Sequence, residues 1–308
     1  MSGENGKKMI STAPIPKHGL LVLDKPRGPS SHQVTAWAGE ILGTRVGHAG
    51  TLDPGVSGVL VVMIGNAVRL APVLLSEEKE YVAVIRLHGD AGEDTLRNVA
   101  EEFTGRIYQR PPRRSAVARN LRIRTIRALD VIEVAGRRAV LRITCDAGTY
   151  IRSLCHHMGL ALGCGAHMEE LRRVRSGVFS EDSAHTLAEL KDASVLAREG
   201  DPSALAGIIL PPETIAGGLP TLVIRDSAVD ALCHGAALAG VGVVCQDVFE
   251  KGDVVTVLTG KGELVCIGEA IAPSSAVPPG ANGLVAAPRS VFLSPGTYPR
   301  GWKKRKKA

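Results

Sequence analysis

Aromatic residues are scarce: Phe, Trp and Tyr together make up 3% of the 308 residues. An aromatic that begins an otherwise aliphatic strand, as Tyr81 does, therefore carries information. The six cysteines, Cys145, Cys155, Cys164, Cys233, Cys245 and Cys266, include no CxxC pair, so reduced, mostly buried thiols are expected rather than disulfides or zinc ligands. Apolar runs such as "GVLVVMIG" and "AALAGVGVVC" stop well short of the roughly 18 residues that a membrane span needs, and no membrane contact is expected. The first residues, "MSGENGKKMISTAPIP", lack the continuous apolar stretch of a secretory signal, which predicts a protein that stays inside the cell. The glycine-rich stretch Arg45 to Leu60, "RVGHAGTLDPGVSGVL", has no GK[ST] and so is not a nucleotide P-loop. Its Ser57 sits in "GVSG", one residue short of the serine-hydrolase elbow.

What is abundant is apolar residues, 44%, and positive charge, net +6 with 37 Lys and Arg against 31 Asp and Glu. The apolar content supplies a core for one large domain and a smaller one. The charge is concentrated. "RIYQRPPRRSAVARNLRIRTIR", Arg106 to Arg127, holds eight arginines and no acid, and "KKRKK" fills Lys303 to Lys307. Such a density fits phosphate contact better than a merely solvated face, because guanidinium forks match phosphate oxygens and repel one another without a polyanion.

Along the chain, "GLLVLDKP" predicts a short buried strand stopped by Pro26. A helix follows, capped by Ser30 or Ser31, with Val34, Trp37, Ala38 and Ile41 on its apolar face and Gly43 at its end. "YVAVIRLHGD" predicts a strand with Tyr81, Ala83, Ile85 and Leu87 on one face, pointing toward the core or a pocket. A helix near Leu96 to Phe103 precedes the arginine segment, and "LDVIEV" with "RAVLRITCD" predicts a strand pair turning at Ala135 to Arg137. In "GTYIRSLCHHMGLALG" the stripe Ile151, Leu154, Cys155, Met158 and Leu162 predicts a helix with Arg152 near its start. Near Gly217 the composition shifts. "PPETIAGGLP" suits a linker, and "TLVI", "GVVC", "DVVTVLT" and "ELVCIGEA" beyond it predict a small, mostly β domain.

Asp53 is the one carboxylate in its stretch, and Asp-Pro-Gly alone is a common turn. Its flanks "VGHAGTL" and "VSGVLVVMIG" are close to fully apolar, which predicts a turn packed inside, whose carboxylate then needs a cation or donors. Cys155, His156, His157, Cys164 and His167 crowd a second stretch, but their spacing matches no zinc pattern and no metal site is expected.

"GHAGTLDPGVSGVL", "KEY" at Lys79 to Tyr81, "AGTYIR" at Ala147 to Arg152 and "GAHMEELRR" at Gly165 to Arg173 together resemble the TruB-like pseudouridine synthases. "QRPPRRSAVARNLRIRTI", "LRRVRSGVF" and the carboxyl-terminal part are most similar to the archaeal and dyskerin-like branch that works in H/ACA guide-RNA particles. One departure stands out: "HGAALAGVGVV" places Ala237 and Val241 where relatives have an acidic residue and later a Pro-Gly pair.

The resemblance implies an α+β fold. Its catalytic domain, residues 18–217, has a mixed, largely antiparallel sheet flanked by helices. A small β-barrel-like PUA RNA-binding domain covers 218–295; an amino-terminal extension, 1–17, precedes the catalytic domain and a basic tail, 296–308, follows the PUA domain, both expected to pack near the second domain. It implies an enzyme that turns uridine into pseudouridine in rRNA, and in the tRNA T-loop, without a cofactor. Asp53 would be the reactive carboxylate, Arg152 its counter-charge and Tyr81 the aromatic stacked on the target base. His48 would fill the space left by the flipped nucleotide, and Leu171, read as a helix residue, would line the pocket unless plain packing explains it. Lys25 would support the fold or touch RNA, and Tyr150, Arg110, Arg113, Arg114 and Arg119 would bind RNA, the arginines forming a mobile thumb. The implied partners are an H/ACA guide RNA, the substrate rRNA or tRNA, and small accessory proteins of the particle. The implied location is cytoplasmic in an archaeal cell, or nucleolar in a eukaryotic one. The alternatives are a stand-alone tRNA T-loop enzyme and a non-catalytic RNA-binding scaffold in ribosome assembly.

Overall fold

The computed structural model describes residues 18–111, 118 and 120–299. The amino-terminal extension, the run Lys303 to Lys307, and the site candidates Arg113, Arg114 and Arg119 lie outside the described residues. In chain order the first part contains β1 (Gly19–Lys25), α1 (Ser31–Leu42), β2 (Val46–Ala49), β3 (Ser57–Ile64), α2 (Ala71–Ser76), β4 (Lys79–Leu87) and α3 (Glu93–Glu102). It continues with β5 (Gly105–Gln109), β6 (Arg122–Ala135), β7 (Arg138–Cys145), α4 (Ile151–Ala161), β8 (Ala166–Ser176), β9 (Phe179–Ser180), α5 (Leu187–Glu199) and α6 (Ser203–Ile208). The chain divides into two compact units: Leu21–Val62 with Leu74–Ile209, and Met63–Val73 with the chain from Leu210 onward.

Local chemistry explains the first helix. Ser30 Oγ accepts from the Gln33 amide at 3.2 Å while Gln33 Oε1 accepts from the Ser30 amide at 2.9 Å, a reciprocal cap. Gly43, at φ 64°, closes the helix in the left-handed conformation. Val34, Ala38 and Leu42 are buried, but Trp37 is 42% exposed and does not join the core face assigned to it from spacing.

A nine-stranded sheet runs β1-β3-β8-β4-β7-β6-β5, with β2 paired to β3 and β9 to β8. It is mixed and largely antiparallel: β3 and β8 are parallel, whereas β4 runs antiparallel to both β7 and β8. The inward residues of β4, Tyr81, Ala83, Ile85 and Leu87, join Leu96 of α3 and Ile151, Leu154, Cys155 and Met158 of α4 in one core. Strands β6 and β7 meet at the register pair Ala135 and Arg138, as the sequence predicts.

The stretch holding Leu171 is strand β8, not helix. Met, Glu, Leu and Arg favour helix only weakly, and hydrogen bonding to β4 from Ala166 to Ser176 overrides that preference. The crossing of β3 and β8 requires glycine: at Gly58, φ 100°, a Cβ would stand 2.1 Å from the Arg173 carbonyl oxygen.

The second unit contains β10 (Thr221–Ile224), α7 (Asp226–Cys233), β11 (Leu238–Ala239), β12 (Val243–Gln246), β13 (Val254–Thr259), β14 (Leu264–Ala270) and β15 (Leu284–Val291). Its nearly closed, barrel-like sheet runs β11-β15-β14-β13-β10-β12 around Leu222, Val229, Phe249, Val257 and Val265. Two expectations need correction. Pro212 to Gly218 is not a free linker but a short 3-10 segment with Pro212 and Ile215 buried, and Glu213 Oε1 accepts from the Leu264 amide at 2.9 Å. Helix α7 was not anticipated, because it is only eight residues long. In the departing stretch, Gly240 exchanges backbone bonds with Gly280 and Gly283, both at 2.9 Å, and Val241 is exposed.

All six cysteines are free, but only Cys145, Cys155 and Cys266 are buried, half rather than most. Burial pushes each of those three thiols up to about 12. No helix among the described residues is long and apolar enough to cross a membrane.

Candidate active site

Asp53 opens a tight turn between β2 and β3, closed by the Val56 amide donating to the Asp53 carbonyl at 3.0 Å. Pro54 and Gly55 supply the middle of that turn, the positions where their backbone preferences fit. Polar side chains from other elements hold the loop by its main chain. Ser31 Oγ donates to the Leu52 carbonyl at 2.9 Å and accepts from the Leu52 amide at 2.8 Å. Lys25 Nζ donates to the carbonyls of Pro26 at 2.8 Å, Pro54 at 3.4 Å and Val56 at 2.7 Å. Arg173 donates to Gly50 O at 2.7 Å and to Val59 O at 2.8 Å.

Leu52 and Val56 turn inward and are buried, and this aims Asp53 outward with 57% of its side chain exposed. The expectation of a carboxylate packed inside is therefore wrong. The apolar flanks bury themselves, while the turn between them presents its acid. Arg152, in the first turn of α4, forms an ion pair with Asp53 Oδ2 and is itself 47% exposed. A pair this open adds little to stability, so its consequence is orientation and charge balance at the carboxylate.

Of the two roles expected for Lys25, the structure shows the support of the fold: it is fully buried beneath the Asp53 turn and bonded to its main chain. Burial lowers its pKa, an effect partly opposed by the charge of Asp53. Arg173, which the sequence reading left without a role, is 1% exposed and is the cross-strand partner of Tyr81. Burial lowers the pKa of Arg173 and raises that of Tyr81, and the contact between guanidinium and phenol opposes both shifts. The available signal was the alternation of β8, which sets Arg173 on the same inward face as Leu171.

Tyr81 is 9% exposed, with Leu52, Val56 and Ile151 in the same buried cluster and Leu171 packed against it. Asp53, Arg152, Tyr81 and Leu171 thus converge on one region of the first unit. Tyr150 caps α4: its amide donates to Gln109 Oε1 at 2.9 Å, and Gln109 Nε2 donates to its carbonyl at 3.1 Å. These bonds tie the end of β5 to the start of the helix that carries Arg152. Arg110 follows β5 directly and is exposed.

His48 is part-buried on β2, and its hydrogen bonds determine its tautomer. Thr35 Oγ1 donates its proton to Ser31 O at 2.7 Å, so at the 3.1 Å contact with His48 Nδ1 it can only accept. The ring is therefore protonated at Nδ1, and Nε2 accepts from Thr51 Oγ1 at 3.3 Å. Burial, then the charges of His32 and Arg173, lower its pKa and favour this neutral form. Among the described residues no group of three or more His, Cys, Asp and Glu could hold a metal ion.

Residues 40–151 match the TruB family pseudouridylate synthase N-terminal domain, 152–216 the tRNA pseudouridylate synthase B C-terminal domain, and 220–292 the PUA domain. A relative from Methanosarcina barkeri, named "Probable tRNA pseudouridine synthase B", is 48% identical over 290 residues, 93% of this chain and 86% of the relative. One of the same name from Methanothermobacter thermautotrophicus is 49% identical over 288 residues, 92% of this chain and 89% of the relative. Among solved structures, a chain of a Cbf5-Nop10-Gar1 complex is similar with TM-score 0.87 and 45% identity, covering 92% of this chain and 87% of that one. A chain of an H/ACA RNP bound to a substrate RNA containing 2'-deoxyuridine gives TM-score 0.86 and 43% identity, covering 92% of this chain and 88% of that one. With this extent of likeness in sequence and fold, the chain belongs to the TruB family of pseudouridylate synthases, enzymes that isomerise uridine in RNA to pseudouridine.

Proposed function

We propose that Asp53 is the catalytic residue of this isomerisation, with Arg152 as its counter-charge and Tyr81 as the ring that holds the target base. The observation that carries the reading is the ion pair between Asp53 and Arg152 on a turn whose main chain is fixed from three sides. The reaction breaks the bond from uracil N1 to ribose C1′ and forms one from C5 to C1′. The C5 proton leaves and N1 gains one, so atoms and electrons balance without a redox partner or cofactor. The carboxylate acts at the sugar, and both a bond to carbon and removal of a ribose proton need it ionised and aimed. Arg152 aims the carboxylate and balances its charge.

Tyr81 and Leu171 wall the pocket that retains the detached base. His48 enters the space vacated when the nucleotide flips out, a step that takes a few kcal/mol unless the RNA presents it unpaired. Tyr150, at the start of α4, and Arg110, Arg113, Arg114 and Arg119 of the arginine segment contact the RNA. The catalytic domain covers 18–217 and the PUA domain 218–295, the latter anchoring RNA.

The likeness to Cbf5 chains supports work as the catalytic subunit of an H/ACA particle, with a guide RNA, rRNA as substrate and small accessory proteins. The names of the relatives favour a second reading, direct action on tRNA. Their archaeal sources support a cytoplasmic location. A non-catalytic scaffold would have no use for an oriented carboxylate. A pseudouridine assay on the purified protein separates the readings, with tRNA alone, with guide plus target RNA, and with guide, target and accessory proteins. Product only in the guided arms supports the particle, product with tRNA alone supports direct action, and no product in any arm refutes both.

A further inference from the structure

A cleft of about 710 Å³ runs between α1 and β2, and His32, Thr35, Gly39, Glu40, Arg45 and His48 are among its lining residues. That volume falls within the roughly 300–1,000 Å³ of small-ligand sites. Glycine brings the two walls together: a Cβ on Gly39 would meet Val46 Cγ2 at 3.1 Å and the Thr44 carbonyl at 3.2 Å. Arg45 and Glu40 are exposed on the cleft, and neither forms a salt bridge with a described residue. His48 presents a flat, neutral ring at one end, and its Nε2 bonds Thr51, which leads directly into the Asp53 turn. The lining thus combines two imidazole faces, a free guanidinium and a free carboxylate.

We propose that this cleft binds the unpaired nucleotide adjacent to the target uridine, its base against His48 and His32, its phosphate on Arg45 and a base amino group on Glu40. The inference rests on the reading of the Asp53 turn as the place where uridine reacts, since His48 lies on the strand that feeds that turn. Imidazole rings stack on any base, and a guanidinium matches phosphate oxygens bidentately. A carboxylate is acceptor-only, so Glu40 accepts from the exocyclic amino group of cytosine, adenine or guanine, a donor that uracil lacks.

The test uses the full chain and substrate RNAs with an abasic site immediately 5′ or 3′ of the target uridine. One of the two abasic sites should weaken binding about ten-fold, the scale of one lost stacking contact. In the double variant His32→Ala, Arg45→Ala that penalty should shrink to about two-fold or less, and both side chains are exposed enough for the fold to tolerate it. Glu40→Gln should reduce the preference for cytosine over uracil at the same position. The proposal is overturned if neither abasic site changes binding, or if the penalty persists undiminished in the double variant. Binding measured on the Asp53→Asn protein needs no turnover, so failure of the cleft is read separately from failure of the catalytic assignment, which shows as absent pseudouridine in the unaltered protein.

Discussion

Replacing Lys25 by Met keeps the volume of a fully buried side chain and removes only its charge and donors. Its bond to Val56 O, 2.7 Å and buried, leaves that acceptor without a partner, while those to Pro26 O and Pro54 O are part-buried and open to replacement by water. A buried unpaired acceptor costs about 1–3 kcal/mol, bonds from a charged donor are at the strong end, and relief of the buried charge offsets part. The net loss works out at about 1–3 kcal/mol. For a unit of this size that lowers Tm by roughly 2–12 °C. Thermal and urea unfolding measure this directly, and RNA binding across a salt series supplies the control. A lysine touching phosphate would contribute about 0.7–0.9 to the slope of log affinity against log salt. A buried one contributes nothing, so the variant should lose stability and keep its slope. A slope reduced by about one contact with stability unchanged would refute the assignment of Lys25 to the loop.

Arg152→Met should abolish pseudouridine formation while unfolding stays within about 1 kcal/mol, because the ion pair is half exposed; equal activity would remove the pair from the mechanism. Tyr81→Phe keeps the ring, whereas Tyr81→Leu loses stacking worth about 1–3 kcal/mol, so Phe should bind RNA more tightly, and parity would argue against a stacked base. Burial and the nearby Arg173 charge hold Lys79 down to about 8, from 10.5. Between those values the unfolded chain binds the extra proton, so stability should rise with pH through that window. Tm compared with Lys79→Met from pH 7 to 10.5 should show the difference, and a flat difference curve would count against it.

Much of the frame was legible because short-range rules and tertiary packing agree there. Ser30 and Gly43 bracket α1 by chemistry that involves only neighbours in sequence. The alternation in β4 names its own buried face. Leu171 was misread because "MEEL" carries helix propensity, while the strand is imposed by β4, more than eighty residues away in sequence. For Lys25 the sequence leaves fold support and RNA contact both open, because its acceptors at Pro54 and Val56 come together with it only in the fold. The same holds for Arg173, whose bonds to Gly50 and Val59 are long-range. The turn at Asp53 was legible as a turn, but its outward aim was not, because that depends on which flanking residues reach the core.

The account stands on a single carboxylate, and Asp53→Asn tests it most directly. The amide keeps the shape of the side chain and loses its charge, and the turn is held by Lys25, Ser31 and Arg173 through its main chain. Pseudouridine measured in single-turnover reactions should vanish while RNA affinity stays within a few-fold of the parent. Turnover near the parent rate would contradict the central claim.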